Sequence, residues 1–262
     1  MTVLVAVLLG LLLGLVIGAL GGGGSILTVP ALVFLLGLSA QDATSGSLVI
    51  VGVTAAVATV GHARSGQTRW GAGALIALAG VPASVLGTRL SQRVGEDVLL
   101  LAFATLMLVA AGGMLIRRRG TGTPAEAARQ PAPLAAARAA RWRALTAAGL
   151  VIGFLTGFLG VGGGFVIVPA LVLALHYPMG PAVGTSLLVV ALNAAVALAA
   201  RAGTGSLDWA VIVPLTVAAG AASLGGTLLA HRLPARRLTQ GFGVLLVLVA
   251  GYVGVQAALG LT

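Results

Sequence analysis

GLVIGALGGGGSILTVPAL, from Gly14 to Leu32, returns as GFLTGFLGVGGGFVIVPAL, from Gly153 to Leu171, at an offset of 139 residues. Each copy is apolar, helix-length sequence interrupted by a glycine cluster. Each glycine costs a helix about 1 kcal/mol relative to alanine. Gly21-Gly22-Gly23-Gly24-Ser25 and Gly160-Val161-Gly162-Gly163-Gly164 are therefore too flexible to continue a helix. The pattern predicts one broken helix per half of an internally duplicated chain. Gly21 to Ser25 also spells a common engineered linker, but its partner lies in register within the duplication, so it is native.

The same offset, without a gap, carries Ser47 onto Ser186, Gly66 onto Gly205, Trp70 onto Trp209 and Ser84 onto Ser223. It goes on to carry Gly87-Thr88 onto Gly226-Thr227, Arg93 onto Arg232 and Phe103 onto Phe242. A match from Gly14 to about Gly112 means that the halves share one fold. The expected organisation is an N-terminal repeat, 1–116, a basic linker, 117–143, and a C-terminal repeat, 144–262.

Composition sets the class. The chain is 59% hydrophobic and 8% charged over 262 residues, against about 25% charged in an ordinary soluble domain. It reads as an all-α polytopic membrane protein. The net charge of +10 is concentrated in Arg117, Arg118, Arg119, Arg129, Arg138, Arg141 and Arg143. A basic loop between spans is a cytoplasmic anchor facing the anionic headgroups of the bilayer. No interleaving of basic and aromatic residues accompanies the charge, so no nucleic-acid partner is expected. With no cysteine, disulfides, thiolate metal sites and redox motifs are absent, and neither metal nor cofactor is expected. The first apolar run has no basic n-region before it and no cleavage pattern after it, and reads as a retained span.

A crossing helix needs about 20 apolar residues. Runs near that length lie at about Val3–Leu20, Ala43–Val60, Trp70–Leu90 and Val98–Ile116, and again at Ala144–Leu159, Ala182–Ala200, Trp209–Ala230 and Leu238–Leu259. Shorter apolar pieces, Ile26–Leu38 and Phe165–His176, follow the glycine clusters. If each short piece crosses, each half has five segments, about ten in all, and the halves are inverted repeats. If each is a re-entrant hairpin, there are eight crossings and the repeats are parallel. Arginine placement favours inversion. With the linker in the cytoplasm, the inverted arrangement also puts Arg64, Arg69, Arg232, Arg236 and Arg237 inside, as the positive-inside rule requires.

Unwound backbone at membrane depth survives only where protein buries it or a watery cavity satisfies it. Helices restarting at about Ser25 and Phe165 present free amides and a positive dipole end, which suit an anion. Gly21, Gly23, Gly24, Ser25, Gly160, Gly162, Gly163 and Gly164 are the candidate substrate contacts, the alternative being a structural turn. Gly14, Gly18, Gly153 and Gly157 form GxxxG patterns that read as helix packing. Ser47 and Ser186, near the starts of the second long spans, are further candidates, with helix capping as the plain reading. Thr54 and Asn193, partners in the repeat, are pore-lining candidates. Asp42 and His176 are the candidates for carrying a coupling proton, although both sit at predicted loop edges. His62 and His231 stand beside arginines and read as surface residues.

The twice-written GxxxGxxGxGG pattern followed by P-A-L resembles the TauE/SafE family of membrane permeases, the sulfite exporter family. The resemblance covers nearly the whole chain outside the linker. It implies transport of a small, often sulfur-containing anion such as sulfite or an organosulfonate across the bacterial inner membrane. The copies differ where Gly22 and Ser25 stand opposite Val161 and Gly164, so the two breaks are not mirror images. No phosphate loop, paired carboxylates, HExxH or Ser/His/Asp set is present, and no enzyme is expected. The alternatives are a drug/metabolite-type carrier of another solute, which does not require a glycine cluster before P-A-L in each half, and a non-transporting membrane scaffold. A homo-oligomer is compatible with either.

Overall fold

In a computed structural model, which describes residues 2–38, 40–91, 93–94, 96–116, 134–159, 164–200 and 208–259, every regular element is helical. The N-terminal half contributes α1 (Thr2–Leu20), a 3-10 turn (Gly22–Gly24), α2 (Ser25–Leu36), α3 (Ala40–Arg64), α4 (Trp70–Ser91) and α5 (Glu96–Ile116). The C-terminal half contributes α6 (Leu134–Leu159), α7 (Gly164–Pro169), a π turn (Ala170–Ala174), α8 (Met179–Ala200), α9 (Trp209–Arg232) and α10 (Ala235–Leu259). Among the described residues, five helices are long and apolar enough to cross a membrane: Asp42–Arg64, Trp70–Ser91, Trp142–Leu159, Met179–Ala199 and Trp209–Arg232. The apolar runs of the sequence and the observed helices agree closely. The main extension is α6, which begins at Leu134, so that part of the expected linker is helical. Residues 117–133 of that linker lie outside the described residues.

Helices that are apolar all round cannot be oriented by a polar face. Here the faces differ in size. On α1, Gly10, Gly14 and Gly18 form one ridge, while Leu4, Leu8, Leu12 and Leu15 on the other side are exposed. The ridge lies on α9: a Cβ at Gly10, Gly14 or Gly18 would run into the backbone of Leu215, Ala219 or Ser223, respectively. Gly149, Gly153 and Gly157 of α6 lie in the same way on Ile76, Gly80 and Ser84 of α4. All of these positions correspond under the 139-residue offset. The first helix of each half therefore packs on the fourth helix of the other, and the halves interlock.

These contacts also give directions. Residue numbers rise together along α1 and α9, along α6 and α4, and along α3 and α9, where Gly46 meets Ile212 and Gly61 meets Thr227. They run oppositely along α3 and α8, where Gly52 meets Ala194 while Gly184 meets His62. Hence α1, α3 and α9 point one way, and α4, α6 and α8 the other. One end of the bundle gathers the C-termini of α3 and α9 and the N-terminus of α4, and with them Arg64, Arg232 and Arg69. Ala6, Leu32, Ala43, Ile50, Ile212 and Leu215 form a core shared by α1, α2, α3 and α9.

Candidate functional site

Two breaks meet inside the bundle. Helix α1 ends at Leu20, and Gly21 turns the chain at φ +79° while its amide still donates to Ile17 O, 2.9 Å. A side chain would be strained there. Space is short as well, since a Cβ at Gly21 would stand 2.7 Å from Ser186 Oγ and 3.1 Å from Val168. A Cβ at Gly22 would collide with the backbone of Gly164, the first residue of α7. Gly24 faces Ile17, whose backbone nitrogen lies 3.1 Å from its Cβ position. The 3-10 turn through Gly23 leads into α2 at Ser25, where a break was expected. Thr28, fully buried one turn later, donates its hydroxyl to Gly24 O at 3.3 Å.

In this conformation the missing Cβ atoms of Gly21, Gly22 and Gly24 are thus replaced by protein atoms. The glycines allow α1, α7 and α8 to approach the break. Of the second cluster, Gly164 opens α7, whereas Gly160, Gly162 and Gly163 lie outside the described residues.

The hydroxyl candidates divide. Ser186 is fully buried, donates to Val183 O at 2.8 Å and lies against Gly21, so it belongs to the first break. Ser47 is buried and donates to Thr44 O at 2.8 Å, within its own helix. Thr54 is fully buried and its Oγ1 has no hydrogen-bond partner. A buried hydroxyl without a partner costs about 1–3 kcal/mol, which makes Thr54 the costliest of these residues to keep for structure alone. Thr54 lies two residues from Gly52 and half-buried Asn193 lies one residue from Ala194, at the point where α3 crosses α8.

The coupling candidates are not brought together. Asp42 sits in the first turn of α3, and His176 is exposed just before α8 begins. Since α3 and α8 are antiparallel, these two starts lie at opposite ends of the bundle. The histidine beside the first break is instead His62. It is 1% exposed, not a surface residue as its arginine neighbour suggested, and its Nε2 donates to Gly18 O at 3.1 Å, one turn before the break. Its ring lies 5.2 Å from that of His231, whose Nδ1 accepts from Gln67 Nε2 at 3.3 Å. The signal in the sequence was an apolar run that continues through His62 to Arg64, placing the ring inside the last helical turn. Among the described residues no cluster of metal-ligating side chains is found.

Comparison with known proteins gives the family. The family described as "Sulfite exporter TauE/SafE" matches residues 6–253. A protein named "Probable membrane transporter protein" from Xylella fastidiosa (strain 9a5c) is 32% identical over 237 residues, covering 89% of this chain and 88% of the relative. "Probable membrane transporter protein YunE" from Bacillus subtilis (strain 168) is 22% identical over 247 residues, covering 88% of this chain and 89% of the relative. No solved structure matches.

Proposed function

This chain belongs to the sulfite exporter TauE/SafE family of membrane transporters, and we propose that it is a secondary permease that moves a small anion of the sulfite or organosulfonate class across the bacterial inner membrane. The observation that carries the reading is the contact of Gly22 with Gly164. Through it two interrupted helices begin beside one another inside the bundle, and helix starts at membrane depth suit an anion. Thr54 and Asn193, at the crossing of α3 and α8, add polar groups to the path.

The arrangement is multi-pass, with five-plus-five inverted halves. Support comes from the opposed directions of α3 and α8 and from the shared directions of α1 with α9 and of α6 with α4. The gathering of Arg64, Arg69 and Arg232 at one end supports it too, since these are the arginines that inversion assigns to the cytoplasm. Because the first break is closed against protein here, the anion enters when two groups of helices part. The glycine ridges make α1 with α9, and α4 with α6, the contacts least able to slide. The moving groups are therefore α1–α2–α3–α9 and α4–α6–α7–α8, each drawn from both halves.

The test is flux in proteoliposomes across sulfite, sulfate, sulfonates and simple carboxylates, with Thr54→Val as the variant. Valine keeps the volume and removes the unpartnered hydroxyl, so stability is expected to hold or rise. Loss of one hydrogen bond to a charged ligand, about 1.5–3 kcal/mol, slows flux by roughly tenfold to a hundredfold. Wild-type flux in Thr54→Val removes Thr54 from the path. No flux of any of these anions by the native protein overturns the permease reading.

A further inference from the structure

The duplication supplies an internal comparison at the start of the fourth helix of each half. In the second copy Asp208 precedes α9, and its Oδ1 accepts a hydrogen bond from the Ala210 amide at 3.1 Å. A carboxylate thus caps amides that the helix itself cannot satisfy. Under the 139-residue offset, Asp208 corresponds to Arg69, Trp209 to Trp70 and Ala210 to Gly71. The first copy therefore has a cation where the second has the capping anion. The amides of Trp70, Gly71 and Ala72 at the start of α4 have no acceptor one turn back, and Gly71 has no protein atom within 4 Å of its Cβ position.

In place of the missing carboxylate there is a cavity of about 460 Å³, lined by Thr68, Arg69, Trp70, Gly71 and, from α6, Trp142. Thr68 is only 8% exposed, and its Oγ1 has no hydrogen-bond partner. The backbone is held firmly, since the Arg69 amide donates to Thr185 Oγ1 at 3.2 Å. Trp70 and Trp142 are 57% and 49% exposed, so the cavity opens on the outer surface. A pair of tryptophans on that surface marks the headgroup level of a bilayer. This end of the bundle is also the one that carries Arg64 and Arg232.

We propose that this cavity binds the phosphate of an anionic phospholipid headgroup, which supplies to α4 the negative charge that Asp208 supplies to α9. The helix amides and the Thr68 hydroxyl donate to the phosphate oxygens, Arg69 selects a headgroup of net negative charge, and the two indoles flank it. The site is separate from the glycine breaks, and Trp142 places it at the last residues of the expected linker, 117–143. Its effect is to pin the start of α4 and the start of α6 to one leaflet.

Native mass spectrometry of the full-length protein, with phosphatidylglycerol, phosphatidylcholine, inorganic phosphate and sulfate as probes, tests this. The native protein is expected to retain one phosphatidylglycerol about tenfold more tightly than phosphatidylcholine. Arg69→Asp restores the arrangement of the second copy and should abolish that preference without lowering thermal stability. Arg69→Gln, which introduces no new cap, should weaken it, and Arg237→Gln should leave it unchanged. Equal retention of phosphatidylglycerol by native protein, Arg69→Asp and Arg69→Gln overturns the proposal. So does binding of phosphate or sulfate, lost in the Arg69 variants, with no preference for phosphatidylglycerol, because the occupant is then a soluble anion.

Discussion

His176 shows how a residue's place in the repeat supplies a structural reading beside the chemical one. It is a non-glycine residue at positive φ, +56°, a conformation that costs an L-residue roughly 1–2 kcal/mol and that histidine tolerates better than most. Its counterpart under the offset is Gly37, which ends α2 at φ +68°. The bonds around the two turns correspond: Leu38 N donates to Leu32 O at 3.2 Å, and Tyr177 N to Leu171 O at 2.9 Å. Both are glycine-type helix caps, and the imidazole Nδ1 lies 3.1 Å from Ala174 O within the same turn. His176→Gly is therefore expected to raise stability by about 1 kcal/mol in thermal or denaturant unfolding, and to leave the pH profile of flux unchanged. A displaced profile would return His176 to the coupling candidates. His62 makes the opposite point. Its sequence neighbours suggest solvent, but its ring is enclosed by the ends of α1 and α9 and holds the last turn before the break.

At the scale of the element, glycine does two separate jobs in these helices. On α1 and α6 the four-residue spacing places backbone against backbone, which is how apolar helices gain contact where lipid offers no hydrophobic contrast. Elsewhere the same residue faces open space: no protein atom lies within 4 Å of a Cβ at Gly112 or at its repeat partner Gly251. The two classes should respond oppositely to a side chain. Gly14→Val and Gly153→Val would drive methyl groups into the backbones of Ala219 and Gly80, with an expected cost of about 3 kcal/mol. Gly112→Ala and Gly251→Ala are expected to be neutral or stabilising by up to about 1 kcal/mol. Unfolding of the four variants in detergent checks the contrast, and equal effects would mean that the ridges are not the tight crossings. The returning segments also differ in detail. After Pro30 the chain remains α-helical to Leu36, whereas after Pro169 it widens into a π turn. Both nevertheless stop at the same left-handed position.

For the whole molecule, the division of the sequence is not the division of the bundle. The two repeats are successive in the chain, yet the closest crossings join α1 to α9 and α6 to α4. A motion that separated residues 1–116 from 144–262 as rigid bodies would have to break both glycine ridges. Parting the two mixed groups leaves both intact. The proposed inverted arrangement carries a topological consequence, because under it five crossings would separate the linker from either terminus. Reporter fusions after Arg118 and after Thr262 should report opposite sides of the membrane, with Arg118 in the cytoplasm. The same side for both would favour re-entrant α2 and α7 segments and a parallel repeat.

By itself the sequence determined the membrane class, the duplication, the place of both breaks and the approximate course of the helices, the start of α6 excepted. These depend on composition, on local backbone cost and on the length of apolar runs, all of which act within a few turns of chain. It also carried the family resemblance, because the glycine pattern is local. Only the tertiary structure decided what fills the space beside Gly21, Gly22 and Gly24, that His62 is enclosed, that Thr54 lacks a partner, and that Trp142 comes to lie beside Thr68 at the start of α4. Each of these depends on which helices become neighbours. In helices apolar on every face that choice is made by shape, through close approach of residues far apart in the chain, which no local pattern records.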